Sequence, residues 1–351
     1  MRTHRSVAIT LFVSVMIAAC SEANHTAPMT GLPSVSSAPA LNRSTTEHLY
    51  ALALHTPPHI FVFAQASKNL EAIIQPQGYG FRVEQIATDA EGTLYALGGS
   101  ALLVYAKGQT TPTRTVPVGG TTMAVDPDGT VYASGAGPAV AVVPSGASTE
   151  SRTITKGIKF TPISMALDKN GNLFVLQCSC IKNAKSGGLI TEYARGSFAL
   201  VNIIKLGFSG WGQIITDDQE NLYVSDYWGN RIRKFPAGST KPSLVITKGV
   251  YLPAGMVVDS AHNLYVASHG DSTGAHVGIV VYAPNKTVPT RIITSGRAKK
   301  PSLLPPVFDA KGNLYVAGSL GVSIFPPGAS SPSLNLFQKD MRAVWSLAIG
   351  R

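Results

Sequence analysis

The chain has little charge and no long apolar run that could cross a bilayer. Only 14% of its 351 residues are Asp, Glu, Lys or Arg, whereas it contains 34 glycines and 23 prolines. This composition suits many short strands and turns and argues against a helical protein. The N-terminal apolar run, residues 7–17, is too short for a spanning helix. These shortages favour an all-β protein without a transmembrane helix.

A repeat of about 40 residues runs from residue 49 to the C terminus. Its marker is a Leu-Tyr pair or a close variant, and successive markers lie 37 to 50 residues apart. A period of this length is typical of solenoids, propellers and other repeat architectures. The markers are Leu49-Tyr50, Leu94-Tyr95, Val131-Tyr132, Leu173-Phe174, Leu222-Tyr223, Leu264-Tyr265 and Leu314-Tyr315.

An aspartate stands five residues before each of the last six markers. Four of these aspartates are followed three residues later by Gly, which readily takes the positive φ of a tight hairpin. Asp side chains commonly bond to nearby amides in such turns. We therefore expect them to form turns rather than to act in catalysis. They are Asp89, Asp126, Asp168, Asp217, Asp259 and Asp309.

Each repeat is predicted to form four short strands, A to D, with A ending at the Asp and B carrying the marker. Turn residues bound every strand, which is the pattern of a propeller blade. The first repeat lacks an A strand, and the segment Ala343 to Gly350 matches the missing strand. Pairing the chain end with the chain start closes the ring and removes open sheet edges. Residues 45–351 thus predict a single seven-bladed β-propeller, with six blades as the alternative.

The N terminus has the pattern of an export signal. Arg2 and Arg5 precede the apolar run, and residues 17–20, Ile-Ala-Ala-Cys, resemble a bacterial lipobox. We therefore expect residues 1–19 to be a signal peptide and Cys20 to be lipidated. Ordinary cleavage beside an incidental cysteine is the alternative. Residues 20–44, with a stretch rich in Ser, Ala, Pro and Thr, are predicted to be a flexible tether.

The predicted location is the cell envelope. Ser21 follows the cysteine, and the absence of Asp there resembles the pattern of Gram-negative lipoproteins of the outer membrane. The expected site is thus the outer membrane, facing the periplasm, with membrane contact through the lipid anchor alone.

Only three cysteines occur in the chain. Cys178 and Cys180 remain after Cys20 and lie at the end of the fourth B strand. An exported compartment permits a disulfide between them. Residues i and i+2 of a strand sit near the upper limit of separation for bridging, so a bond would require a local bend. Free thiols and a metal site are the alternatives.

The two faces of the predicted propeller differ in their connections. The A-to-B and C-to-D turns share the turn face, and the long, varied D-to-A and B-to-C loops share the loop face. Function usually resides on variable loops, and the loop face collects aromatic and basic residues that could hold a polar or anionic ligand. The alternative is that the basic residues are simply solvated and the aromatics fill gaps between blades. The candidate ligand-binding residues are Tyr79, Trp211, Trp228, Tyr251, Lys299 and Lys300.

Four loop histidines make a second candidate set. His55, His59, His269 and His276 would form a metal or general-base site if the first and sixth blades met across the channel. Their spacing is not that of a known zinc motif.

One stretch carries a family resemblance. Residues 221–235, NLYVSDYWGNRIRKF, resemble the NHL repeat, although other copies lose its Asn-Arg-Ile segment. This resemblance implies a β-propeller over residues 45–351. The wider group includes gluconolactonase-like metal hydrolases, streptogramin B lyases, and binding modules for proteins or RNA.

Two functions are consistent with these features. The first is a non-enzymatic, lipid-anchored platform that binds an envelope protein or glycan on its loop face. The second is a metal-dependent hydrolase or lyase of the gluconolactonase or streptogramin lyase type, which needs oxygen donors around the channel mouth. Six of the eleven Asp residues are already assigned to repeat turns, so the first function is favoured. We expect a monomer without a cofactor, and export argues against nucleic acid despite the formal charge of +10.

Overall fold

The computed structural model describes residues 47–53, 57–76, 83–134, 137–178, 187–208, 210–271, 277–294, 305–338, 341 and 343–350. Within these ranges the strands form seven four-stranded antiparallel sheets arranged as a β-propeller, without helices. A membrane-spanning helix is likewise not found in the described part of the chain. The prediction of seven blades is confirmed, and the six-bladed alternative is wrong.

The strands follow the predicted order within each blade. Blade 1 begins with β1 (His48–Ala53), β2 (His59–Ala64) and β3 (Leu70–Ile74). Blade 2 contains β4 (Val83–Thr88), β5 (Leu94–Gly98), β6 (Leu102–Tyr105) and β7 (Arg114–Val116). Blade 3 contains β8 (Met123–Val125), β9 (Val131–Ser134), β10 (Val140–Val143) and β11 (Arg152–Ile154). Blade 4 contains β12 (Thr161–Leu167), β13 (Leu173–Cys178), β14 (Leu189–Tyr193) and β15 (Leu200–Lys205).

The last three blades repeat this arrangement. Blade 5 contains β16 (Ile214–Thr216), β17 (Leu222–Asp226), β18 (Arg231–Phe235) and β19 (Leu244–Ile246). Blade 6 contains β20 (Pro253–Val258), β21 (Leu264–His269), β22 (Val277–Tyr282) and β23 (Arg291–Ile293). Blade 7 contains β24 (Val307–Phe308), β25 (Leu314–Gly318), β26 (Gly321–Phe325) and β27 (Leu334–Leu336). The final strand is β28 (Val344–Gly350).

Strand β28 closes the ring, as the sequence predicts. It pairs antiparallel with β1, with Gly350 opposite His48. It also bonds to the first strand of blade 2: the Thr88 hydroxyl donates to the Ile349 carbonyl (2.6 Å), and the Trp345 indole N–H donates to the Glu84 carbonyl (2.8 Å). The C terminus therefore holds blades 1 and 2 together.

Seven apolar clusters fill the spaces between neighbouring blades. The cluster between blades 5 and 6, for example, joins Tyr223 and Ile232 of the former to Met256 and Val266 of the latter. Each strand contributes alternate side chains to the cluster on either side, which explains why the B strands are apolar at successive positions. Burying one such side chain contributes about 1.5–3 kcal/mol, so the blades are stabilised mainly by their neighbours.

The repeat aspartates form turns, as predicted. In five of the six copies one carboxylate oxygen accepts from the amides two and four residues later, as Asp217 does from Gln219 (3.0 Å) and Asn221 (2.8 Å). In four copies the second oxygen accepts from the marker tyrosine, as Asp217 does from Tyr223 (3.1 Å). The residue three positions after each aspartate has positive φ, including Glu220 at +63°.

The remaining copy, at Asp126, has a different bond to the amide four residues later. Asp128, rather than Asp126, accepts from the Thr130 amide (2.9 Å). Burial raises the pKa of the Asp126 carboxyl, and nearby Asp128 raises it further. The turn therefore keeps its shape with another side chain in the bonding role.

Candidate functional site

An aromatic group lies on the loop face where blades 5 and 6 meet. The Tyr227 and Trp228 rings are perpendicular, with centroids 5.0 Å apart, and the Tyr227 and His269 rings meet edge to face at 6.0 Å. Tyr227 and His269 are buried, whereas Trp228 is 42% and Tyr251 is 36% exposed. We call Trp211, Tyr227, Trp228, Tyr251 and His269 the aromatic sector.

Hydrogen bonds between loops hold the aromatic sector together. The Tyr227 amide donates to the Trp211 carbonyl (3.0 Å), and the His269 amide donates to the Tyr251 carbonyl (3.1 Å). The buried Ser268 hydroxyl accepts from the Tyr251 amide (3.0 Å) and donates to the Tyr251 carbonyl (3.0 Å). Each exposed ring is thus carried by backbone that is fixed to a neighbouring strand.

The loop that carries Trp228 is shaped by an ion pair whose carboxylate is buried. The Asp226 carboxylate accepts from the Arg231 Nε–H (2.8 Å) and from the Gly229 amide (2.9 Å). A Cβ atom on Gly229 would collide with this carboxylate, which accounts for glycine there. Asn230 takes positive φ (+52°) and accepts from the Leu252 amide (2.8 Å). Residues 226–231 therefore form a rigid turn that presents the Trp228 ring to solvent.

The Tyr227 phenol adds no negative charge to the sector. Burial raises its pKa to about 12, so this hydroxyl stays neutral at ordinary pH. Exposed lysines lie on the same face of blades 3 to 5, at Lys156, Lys159, Lys205 and Lys248. The sector can therefore supply ring faces for stacking together with a field that attracts anions.

Three of the predicted ligand-binding residues come together in this sector. They are Trp211, Trp228 and Tyr251, from two D-to-A loops and one B-to-C loop. Tyr79, Lys299 and Lys300 lie outside the described residues. The candidate function of the six residues stays a prediction.

The predicted histidine set is only partly described. His55 and His276 fall outside the described residues, whereas His59 begins β2 in blade 1 and His269 ends β21 in blade 6. Blade 7 separates these two blades. His59 is within 3.0 Å of the Gln75 amide group, whereas His269 packs on Tyr227. In the described ranges no three His, Cys, Asp or Glu side chains are grouped to hold a metal ion.

The cysteine prediction is likewise half described. Cys178 is buried at the end of β13, whereas Cys180 lies outside the described residues, as does the proposed lipidation site Cys20. The disulfide and its alternatives therefore stay predictions.

Two cavities of about 450 and 460 Å³ lie on the turn face, where the innermost strands end. Sequence reasoning placed its candidates on the opposite face. The cavity walls include Asp89, Asp217 and Asp309, whose carboxylates already accept turn amides and tyrosine hydroxyls. These carboxylates therefore stabilise the turns, and they line the cavities because each repeat places an aspartate there.

Sequence reasoning missed a pair of arginines beside the aromatic sector. Arg231 and Arg233 point to the same side of β18, towards Phe208 of the loop that precedes blade 5. Their spacing of two residues on a predicted strand could have indicated a shared face.

The strand arrangement defines the class of the protein, a seven-bladed β-propeller, whereas the comparisons with known proteins show no family. No family model matches the chain, and no curated protein matches it. A solved protein of unknown function from Bacteroides caccae is 11% identical, with a TM-score of 0.52, and the match covers 88% of this chain and all of that one. Altogether 1302 solved chains match, so the fold is common and does not select a function. The NHL resemblance therefore stays a sequence-based expectation.

Proposed function

We propose that this protein is a non-enzymatic, lipid-anchored module of the cell envelope that binds a glycan on its aromatic sector. The observation that carries the proposal is the pair of partly exposed rings, Trp228 and Tyr251. The Trp228 ring packs on buried Tyr227, and the Tyr251 carbonyl accepts from the amide of buried His269. Aromatic faces carry partial negative charge and contact the C–H faces of sugar rings. Fixed loops keep the rings in place before binding, which reduces the entropy lost on association.

A glycan fits this sector better than a protein partner. A stable protein interface buries about 1,600 Å² around an apolar core. On the aromatic sector the exposed large apolar residues are Trp228 and Tyr251, whereas most of the others on the described surface lie on outer strands, such as Val201, Ile203 and Ile292. A polar side chain joins the loops that carry the two rings, since the Asn230 side chain accepts from the amide of Leu252, the residue after Tyr251. Two separate rings among hydrogen-bonding groups match single sugar units.

The position of Glu47 supports an orientation that exposes the sector. Glu47 lines the turn-face cavity, where its carboxylate accepts from the Ala310 amide (3.0 Å) and from the Gln65 side chain (2.8 Å). A tether from Cys20 would therefore join the propeller at its turn face. A flexible chain of this length has a root-mean-square span of about 30 Å. The loop face would then point away from the membrane and meet ligands in the aqueous compartment.

The hydrogen bonds that the carboxylates already make support a binding role over hydrolysis. Metal-dependent hydrolases need several oxygen donors that are free to coordinate. The repeat aspartates at the turn-face mouth are committed to turn bonds, and Asp226 on the loop face is committed to Arg231 and Gly229.

The test is glycan binding by residues 45–351, first on a glycan array and then by calorimetry with the best oligosaccharide. Trp228→Ala and Tyr251→Ala should each raise Kd about tenfold, or about 1.4 kcal/mol, because each removes a stacking face. Both rings are partly exposed, so the free energy of unfolding should fall by no more than about 1.5 kcal/mol relative to wild type, and both variants should stay folded.

Phe337→Ala is the matched control, since Phe337 is 44% exposed at the end of β27 in blade 7. This variant should bind as the wild type does. Equal affinity of all three variants for the oligosaccharide would contradict the proposal. Binding of an envelope protein that depends on Trp228, with no glycan bound, would replace the glycan by a protein partner.

A further inference from the structure

An unneutralised arginine lies next to the aromatic sector, between blades 4 and 5. The Arg233 guanidinium stacks over the Phe208 ring, 4.8 Å from its centroid, and donates to the Leu206 carbonyl. The Arg231 guanidinium lies 5.8 Å from the same ring. Phe208 therefore presents one ring to two cations, an arrangement in which the aromatic quadrupole attracts both.

Only one of these two cations has a carboxylate partner. Asp226 pairs with Arg231 at 2.8 Å. Arg233 forms no ion pair with any carboxylate in the described part of the chain, and its Leu206 bond occupies one of five N–H donors. Burial lowers the pKa of the Arg233 guanidinium, the neighbouring Arg231 lowers it further, and the charge of Asp226 opposes both effects in part. The guanidinium nevertheless stays charged, since its ordinary pKa is so high.

We propose that Arg233, whose guanidinium lies over the Phe208 ring, is a subsite for an oxyanion. A planar guanidinium with free parallel N–H groups bonds carboxylate and phosphate oxygens in bidentate fashion. An anion there would neutralise the extra positive charge and satisfy donors that have no protein acceptor. Arg233 stays available because the Asp226 carboxylate is already paired with Arg231.

The subsite indicates an acidic ligand for the aromatic sector, an inference that rests on the proposed function. Trp228 and Arg231 belong to the same six-residue turn, whose Asp226 anchors both ends. Arg233 follows on the same side of β18. A chain of sugars that stacks on Trp228 can therefore extend towards Arg233. The anionic group would be the carboxylate of a uronic acid or a phosphate substituent.

The subsite can be tested without the aromatic sector. In arginine side-chain Nε–H NMR spectra of residues 45–351, glucuronate and inorganic phosphate should each shift the Arg233 resonance, whereas glucose should not. A larger response to glucuronate indicates a carboxylate source, and a larger response to phosphate indicates a phosphate source. An Arg233 resonance that is unmoved by both anions would overturn the proposal.

Selectivity for an acidic glycan is the second measurement. Wild type should bind oligogalacturonate about tenfold more tightly than its methyl ester, because bonds to a charged group are the stronger ones. Arg233→Gln should abolish the preference for the acid form and leave binding of the ester unchanged. Arg233→Lys keeps the charge but lacks the planar guanidinium, so it should retain only part of the preference. Lys205→Gln removes one exposed charge of the surrounding field but no part of the subsite, so it should lower the preference far less than Arg233→Gln does.

The outcomes separate the two proposals. If neither oligosaccharide form binds and the anions still shift Arg233, glycan binding has failed and the oxyanion subsite stands. If both forms bind equally, the acidic ligand is refuted and glycan binding stands. If Lys205→Gln and Arg233→Gln reduce binding alike, diffuse positive charge rather than a subsite attracts the ligand.

Discussion

Removal of the Asp217 carboxylate is expected to destabilise the propeller strongly while leaving the loop face intact. Asp217 accepts from the Gln219 and Asn221 amides, from the Asn221 side chain (2.9 Å) and from the Tyr223 hydroxyl (3.1 Å). Asn221 and Tyr223 are buried, so water cannot readily replace the lost acceptor. A buried donor left unpaired costs about 1–3 kcal/mol. With two such donors, Asp217→Ala should lower the free energy of unfolding by about 3 kcal/mol.

The adjacent aspartate supplies the matched control. The Asp218 side chain is 70% exposed and forms an ion pair with His262 at 3.2 Å. Surface pairs of this kind contribute less than about 1 kcal/mol, so Asp218→Ala should be close to wild type. The assay is urea unfolding followed by the fluorescence of the three tryptophans. Equal unfolding midpoints for the two variants would refute the turn-forming role. A loss of glycan affinity in folded Asp217→Ala would contradict the separation of stability from binding.

Two further predictions concern the anchor and the buried tyrosine. Cys20→Ala should move the exported protein from the membrane fraction to the soluble fraction and abolish labelling by a fatty-acid probe; an unchanged membrane fraction would remove the lipid anchor from the proposal. Burial raises the pKa of Tyr227 from 10.0 to about 12, so this phenol stabilises the fold fully below pH 10, and that stabilisation is lost as the pH rises through about 12. The absorbance difference between wild type and Tyr227→Phe should show a phenolate forming near pH 12, and one forming near pH 10 would contradict its burial.

The architecture could be predicted from sequence because its determinants are local. Each Asp, the residue of positive φ after it and the marker tyrosine lie within seven consecutive positions, and the structure joins them by direct bonds. The closing strand was also predictable, since Val344–Gly350 has the apolar pattern that the first repeat lacks. The number of blades can therefore be counted from the sequence repeat, because the residues that bond within each turn are close together in the chain.

The site was less predictable because its contacts cross from one blade to the next. The Tyr227 ring meets His269, and the Arg233 guanidinium meets Phe208. These pairs depend on the conformation of loops that differ in length between repeats, so no period reveals them. Sequence reasoning could place Trp211, Trp228 and Tyr251 on one face. It could not select the sector where they gather, nor assign Arg233 to it.

The two faces are stabilised in different ways, and this difference explains where function can evolve. On the turn face one device recurs, an aspartate that accepts from its own turn. On the loop face a polar side chain near the end of the B strand ties the loop that precedes the blade, and this residue is serine in blades 3, 5 and 6 but glutamine in blade 4. The Ser134, Ser225 and Ser268 hydroxyls accept from the amides of Thr122 (3.0 Å), Gln213 (2.8 Å) and Tyr251 (3.0 Å), and the Gln177 side chain accepts from the Lys159 amide (2.7 Å). Because each loop has its own tie, one loop can change without disturbing the next. The loop face of blades 5 and 6 can therefore hold a specialised site on a uniform scaffold.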